Sequence, residues 1–481
     1  MSDLMFRPAT ELAALVRSGD VTSRELVEQS LQRIDDLDGE LNAFTFIDRD
    51  GALAAADAVA AGDERPFAGV PIAIKDLGVA VAGWPLSMCS DLFEDFAPDY
   101  DSFVARRLRE AGFVFVGRTA SPEMGILPVT ESRRFGPTRN PWDTTRTPGG
   151  SSGGSGAAVA GGMVPIAHAS DGGGSIRIPA ACCGLVGLKS SRGRISRGPE
   201  FGDSFLATDG VVSRTVAETA AVLDILAGYE PGDATWAPPP AAAFAESVGR
   251  DPGRLRIGFS TRQPMGVDPD PENVRGAEEA AKLLESLGHE IVPIDYEWPA
   301  DEIVATFVDL WAGMVSLGVG FAASLGYAPT PDKVESLTWD LFEKGMALPS
   351  TKYLGSLTRL QQISRELIGW WSDIDVLLTP ALGQRPVAIG TIDGQKEDDP
   401  FSALIPDASD FTPYTAVWNV TGQPALSLPL LHGDDGLPTG IQLVGPPIGE
   451  EILIALAAQL EAAQPWAERR AQPVGGAAGR P

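Results

Sequence analysis

Short apolar runs, each bounded by glycine, proline or a polar pair, alternate along this chain with amphipathic helical patterns, and that alternation constrains the fold more than any other feature. FAGVPIAIKDL is bracketed by Gly69 and Pro71 on one side and by Lys75-Asp76 on the other, which reads as a short buried strand. DSFVARRLREAGFVFVGRTA gives a helix, a glycine stop and an apolar strand, the pattern of an α/β crossover. Beyond residue 210, TVAETAAVLDILAGY is helical with a glycine stop, while RLRIGFS, DVLLTP, PALSLPL and TGIQLVG read as strands. Such a sequence predicts an α/β fold with a mixed central β-sheet covered by helices on both faces.

Residues 1–65 are expected to form a helical N-terminal flank: VTSRELVEQSLQRIDDL repeats apolar residues three and four apart, with Thr22 and Ser23 as cap candidates and Glu25 in the first turn. Residues 66–481 are expected to form one α/β core, with a helical insertion at about 300–370 carrying FVDLWAGMVSLGVGF and SLTWDLFEKGM. The aromatic residues of that insertion suit either a pocket wall or a core. The tail AQPVGGAAGRP is expected to fray.

With 65 acidic against 37 basic residues the net charge is −28, so the surface repels phosphate backbones and anionic lipid. Nucleic acid and membrane are therefore not expected partners. Cys89, Cys182 and Cys183 are too few and too badly spaced for a disulfide framework or a zinc site and read as small buried apolar residues. No metal and no cofactor is expected. The start MSDLMFRPATELAALV lacks a basic flank followed by an apolar segment, and no uninterrupted apolar run reaches 18 residues, so the expected location is cytoplasmic.

The Gly/Ser-rich middle, 149–174, contains apolar insertions at Ala157–Val159 and Val164–Ala167 that a flexible linker would not carry. No lysine stands where a phosphate-binding P-loop needs one, and the dinucleotide pattern fails at Val159. GxSxG occurs around Ser152, yet NPWDTTRTP precedes it where a hydrolase elbow needs an apolar strand. His289 and His432 fall in connections and are expected at the surface; His168 lies in an apolar strand and reads as a core histidine. If the serine behind the glycines of SDGGGSIRIPA, Ser175, is activated, lysine is the remaining base, and an ammonium serves only when burial lowers its pKa from about 10.4 towards roughly 7–8. Lys75 ends the most apolar short run before the glycine tract; it suits either that base or a strand-end lysine reaching to water.

Three segments together, GVPIAIKDL, GGSSGGSGAAVAGG and SDGGGSIRIPAACCGLVGLKSSRGRIS, closely resemble the amidase signature family, and DVLLTP, NVTGQPALSLPL and PTGIQLVG extend the likeness over nearly the whole chain. The resemblance implies the amidase signature fold and a C–N hydrolase of the EC 3.5 class with a Ser-Ser-Lys triad: Ser175 as nucleophile, Ser151 as bridging serine after a cis Gly150-Ser151 bond, and Lys75 as base. It places the oxyanion hole at Gly172, Gly173 and Gly174, where Gly172 departs from the family's usual residue, with Asp171 bracing or capping the turn. Met124 in SPEMGILP and Trp311 in the insertion are candidates for contact with an apolar substrate or for core packing. TRNPWD, VGLKSSRGRIS and WNVTGQPALSLP look most like the family's 6-aminohexanoate cyclic dimer hydrolases, which act on nylon oligomers, and its urethanases, which implies a small apolar amide or carbamate, linear or cyclic, as substrate. A glutamyl-tRNA amidotransferase A-like subunit is the alternative within the family; Ile178 stands where those subunits usually carry glutamine. A non-catalytic binding scaffold is the alternative outside enzymology, and a homodimer remains open.

Overall fold

The computed structural model describes residues 4–200, 202, 204–263, 266–295 and 298–471. From position 472 onward the tail expected to fray lies outside the described residues.

Eleven strands form one sheet. In chain order the strands are β1 (Phe44–Ile47), β2 (Pro71–Lys75), β3 (Val114–Thr119), a separate two-stranded ribbon β4 (Glu131–Ser132) and β5 (Gly136–Pro137), β6 (Ile166–Asp171), β7 (Val186–Lys189), β8 (Thr208–Ser213), β9 (Arg256–Phe259), β10 (Glu290–Pro293), β11 (Val376–Pro380), β12 (Ala425–His432) and β13 (Pro438–Val444). Their order across the sheet is β1-β3-β2-β6-β8-β7-β12-β13-β11-β9-β10. The sheet is mixed: β3, β2 and β6 run parallel, as do β11, β9 and β10, and antiparallel pairs join these blocks. Strand alternation divides the core between two faces, because successive side chains point to opposite sides. Ile72 and Ile74 of β2 enter one apolar cluster and Ala73 the other.

One face is covered by α1 (Ala9–Ser18) and by helices spanning Phe103–Glu110, Val216–Leu226, Pro271–Ser286 and Glu450–Ala463. The other is covered by α2 (Ser23–Leu41), α3 (Gly153–Ala160), α4 (Arg177–Cys183) and three long helices, α5 (Ala300–Ser324), α6 (Ser336–Ala347) and α7 (Ser350–Ile368). Thr22 caps α2 in a full capping box with Glu25. The N-terminal flank is not helical throughout: β1 lies inside it and pairs with β3, since Phe44 and Phe46 extend the sheet edge after α2 ends at Asn42 in a left-handed conformation. By length and composition α5 is apolar enough to cross a membrane, with a mean hydropathy of 1.7 over its most apolar stretch, and half of that stretch is buried in this fold. Its interspersed Asp309 and Ser316 keep the sequence from reading as one apolar run.

Candidate active site

Lys75 is the last residue of β2, and the parallel strand β6 ends at the same edge with Ser170 and Asp171. Carboxyl ends of parallel strands are where open α/β sheets bind ligands. Lys75 is fully buried, and its Nζ lies 2.7 Å from Ser151 Oγ and 3.1 Å from Ser170 Oγ. Burial lowers its pKa to about 7, against the opposing pull of Asp209 and then Asp171. The Gly150-Ser151 bond is cis. Gly125 passes so close that a Cβ there would meet the side chain of Leu77 and stand 3.3 Å from Ser151 Oγ; with a φ of 71°, the position calls for glycine.

Ser175 stands two residues before α4 and lines a cleft, and its hydroxyl is hydrogen-bonded to no described residue. The turn ahead of it is held by Asp171, whose Oδ1 accepts the Gly174 N–H at 2.7 Å and whose Oδ2 accepts the Ile176 N–H at 3.2 Å. Arg177 pairs with both carboxylate oxygens at 3.0 Å and also reaches Thr415 O, Gln442 and Asn419. Burial would raise the Asp171 pKa, but Arg177 and the other donors hold it near 2, so the brace stays anionic.

That brace sets Gly174 apart from the two glycines before it. Gly174 N–H is donated to Asp171, whereas the N–H groups of Gly172 and Gly173 bond to no described residue. A Cβ on Gly172 would lie 3.3 Å from the Trp311 ring, and one on Gly173 would lie 3.6 Å from Phe307. Both glycines therefore lie against the wall of the cleft.

That wall is apolar. Trp311 and Phe307 of α5 stack with centroids 5.2 Å apart, and Trp298, Ile126, Ile178 and Leu404 close much of the rest. Among the described residues, no Asp, Glu, Lys, Arg or His lines it. Trp311 is thus at the cleft, whereas Met124 is not: left-handed backbone at Met124 and Gly125 turns the Met124 side chain onto α5 near Gly318 and leaves Gly125 at the wall.

The histidines stand apart from the cleft. His168 is buried, its Nδ1 3.4 Å from the Lys75 backbone N and its Nε2 3.2 Å from Asp209 Oδ1. His289 corrects an expectation: it is buried, not exposed, because its ring accepts from the Leu255 N–H at 3.1 Å and meets Gln459 at 2.8 Å. His432 is partly exposed at the far end of β12. All three cysteines are buried, and burial pushes each thiol pKa up. No group of three metal-ligating side chains occurs among the described residues. Sequence reasoning did not nominate Ser170 or Asp209, which carry no motif of their own; strand register alone brings them to Lys75 and His168.

Comparison with known proteins gives a consistent picture. The family model described as Amidase matches residues 25–454. The chain is 36% identical over 494 residues to a 6-aminohexanoate-cyclic-dimer hydrolase of Paenarthrobacter ureafaciens, with 97% of each chain covered. It is 39% identical over 476 residues to the putative amidase AmiB2 of Mycobacterium tuberculosis, with 98% of each covered. A solved structure of a 6-aminohexanoate cyclic dimer hydrolase complexed with substrate superimposes with a TM-score of 0.92 at 34% identity, covering 98% of this chain and 99% of that one.

Proposed function

The chain belongs to the amidase family of amide-hydrolysing enzymes, and from that premise we propose that it cleaves small apolar amides through a covalent acyl-enzyme on Ser175, with Ser151 as relay and Lys75 as base. One observation carries the proposal: a fully buried lysine with a pKa near 7 sits 2.7 Å from Ser151, at the sheet edge where Ser175 opens into an apolar cleft. Near neutrality about half of such a lysine is the free amine, which is the form that accepts a proton.

Neutral Lys75 takes the Ser151 proton as Ser151 takes that of Ser175. The Ser175 oxygen attacks the carbonyl carbon, and the negative charge on the former carbonyl oxygen meets the N–H groups of Gly172 and Gly173, donors typically worth about 3–4 kcal/mol each. Collapse breaks the C–N bond, and the leaving nitrogen receives its proton back along the same relay. Water, deprotonated by that route, then frees the acyl group as a carboxylic acid.

The cleft wall, uncharged among the described residues, supports a neutral substrate body, and the resemblance to cyclic-dimer hydrolases favours a cyclic or linear amide of aliphatic chain. Carbamates follow the same path with a carbamoyl intermediate, which is the urethanase form of the proposal. An amidotransferase subunit fits less well, because no cation among the described residues lines the cleft to meet a glutamate or glutamine carboxylate and the net charge of −28 repels tRNA. Labelling with a fluorophosphonate tests the mechanism: parental protein takes up about one equivalent and Ser175→Ala none. Unlabelled parental protein, or a labelled Ser175→Ala, sinks it and leaves the scaffold reading. Mass spectrometry of products from linear amides, cyclic amides and aryl carbamates sorts the substrates.

A further inference from the structure

Lys75 Nζ has two hydrogen-bond partners among the described residues, and only one of them belongs to the proposed relay. A neutral amine has one lone pair and two N–H bonds. To take the Ser151 proton, its lone pair must face Ser151 Oγ, and a buried N–H then needs an acceptor elsewhere, since leaving it unmade costs about 1–3 kcal/mol. Ser170 Oγ, 3.1 Å away, is that acceptor.

Ser170 is suited to the task by how it is held. Its backbone N–H donates to Ser152 Oγ at 3.3 Å, and its carbonyl accepts from the same hydroxyl at 3.2 Å. Ser152 directly follows Ser151, so the two oxygens flanking Nζ are fastened to each other through one side chain. Ser170 does not line the cleft. We infer that Ser170 is a positioning residue, whose Oγ accepts an Nζ–H of Lys75 and so turns the amine's lone pair onto Ser151. The inference rests on the Ser-Ser-Lys reading above.

The test reads the rate of fluorophosphonate labelling at Ser175 across roughly pH 5–10, which needs no knowledge of the natural substrate. Ser170→Ala is expected to slow labelling about tenfold or more and to move the acid limb of the profile to lower pH, because an acceptor that also stabilises the ammonium is lost. Ser170→Thr keeps the oxygen and stays within about twofold of the parental rate. The other groups that face Lys75 are unchanged in these variants: Asp209 of β8, Asp171 and His168 of β6, Cys89, Arg197, and Arg118 of β3, which donates to the Lys75 carbonyl. Should the alanine variant fail to fold, Ser170→Cys, similar in size with a poor acceptor, makes the same comparison.

A parental rate and unmoved acid limb in Ser170→Ala overturn the inference, as does a Ser170→Thr as slow as the alanine. Lys75→Met separates the two levels. If it labels at the parental rate, the Ser-Ser-Lys reading fails; if it is silent while Ser170→Ala is parental, only the role of Ser170 fails.

Discussion

At the scale of single residues, the free-amine fraction of Lys75 is a contest between burial and charge. Burial favours the neutral amine, and Asp209 is the strongest force the other way. Asp209 reaches Lys75 through a fixed chain: Oδ1 meets His168 Nε2 at 3.2 Å, Oδ2 accepts from Arg197 Nε at 2.7 Å, and the other ring nitrogen of His168 faces the Lys75 backbone N–H. Burial opposes the Asp209 charge, but Arg197 and His168 more than offset it, so the carboxylate stays ionised. Asp209→Asn keeps an oxygen for His168 and removes the charge. Lys75 then loses its largest stabilising partner as an ammonium, and the acid limb of the rate profile moves down by about one pH unit. A limb that stays in place or rises shows that Lys75 does not set it. Lys75, Ser151 and Ser175 were legible in the sequence through the resemblance of their segments to the family, since the apolar run ending on Lys75 suited a strand-end lysine as well. Asp209 was not, since nothing in TDGVVS marks it, and Ser170, though it opens SDGGGSIRIPA, had no role until the fold set it beside Lys75.

At the scale of elements, the loop that carries Gly125 past Ser151 is pinned to the helical insertion by two buried carboxyls. Glu123 accepts the Ser90 hydroxyl and the Glu335 N–H, both at 2.7 Å, and Glu335 at the start of α6 accepts the Arg133 N–H at 2.7 Å. Burial, reinforced by the charge of Glu123, raises the Glu335 pKa to about 8, and burial raises that of Glu123 as well. An acid whose folded pKa is raised holds more protons folded than unfolded. Its contribution is therefore complete below its ordinary value of 4.5 and is lost as pH climbs to about 8. Thermal unfolding is expected to show a midpoint that falls by about 2 °C or more between roughly pH 6 and 9, and Glu335→Gln flattens that slope while keeping an acceptor for Arg133. Equal slopes in both proteins rule the pair out as the cause. The elements themselves were largely legible, because glycine stops, caps and short apolar runs are local signals: α2, β2 and β3 fall on the stretches that read as helix or strand. The pinning was not, since Glu123 and Glu335 are 212 residues apart and look in sequence like two surface acids.

At the scale of the whole molecule, the charge distribution divides sharply: a net charge of −28 overall and a cleft wall with no charged side chain among the described residues. The composition was legible at once, but the neutrality of the cleft was not, because its wall is assembled from segments as far apart as Gly125 and Val417. Two forces therefore act against an anionic substrate, and they respond differently to salt. The surface field is screened within about 10 Å at 0.1 M salt, whereas the cost of stripping water from a carboxylate inside an apolar cleft is several kcal/mol and hardly depends on salt. Consider two amides of equal length, one ending its acyl chain in a primary amide and the other in a carboxylate. If desolvation governs, kcat/KM for the carboxylate is lower by about 10²–10³, and the ratio changes little between roughly 20 and 500 mM salt. If the surface field governs, the ratio shrinks towards one as salt rises. A carboxylate cleaved as fast as its neutral partner at low salt would mean that a cation enters the cleft during turnover, and the neutral-substrate reading would fall with it.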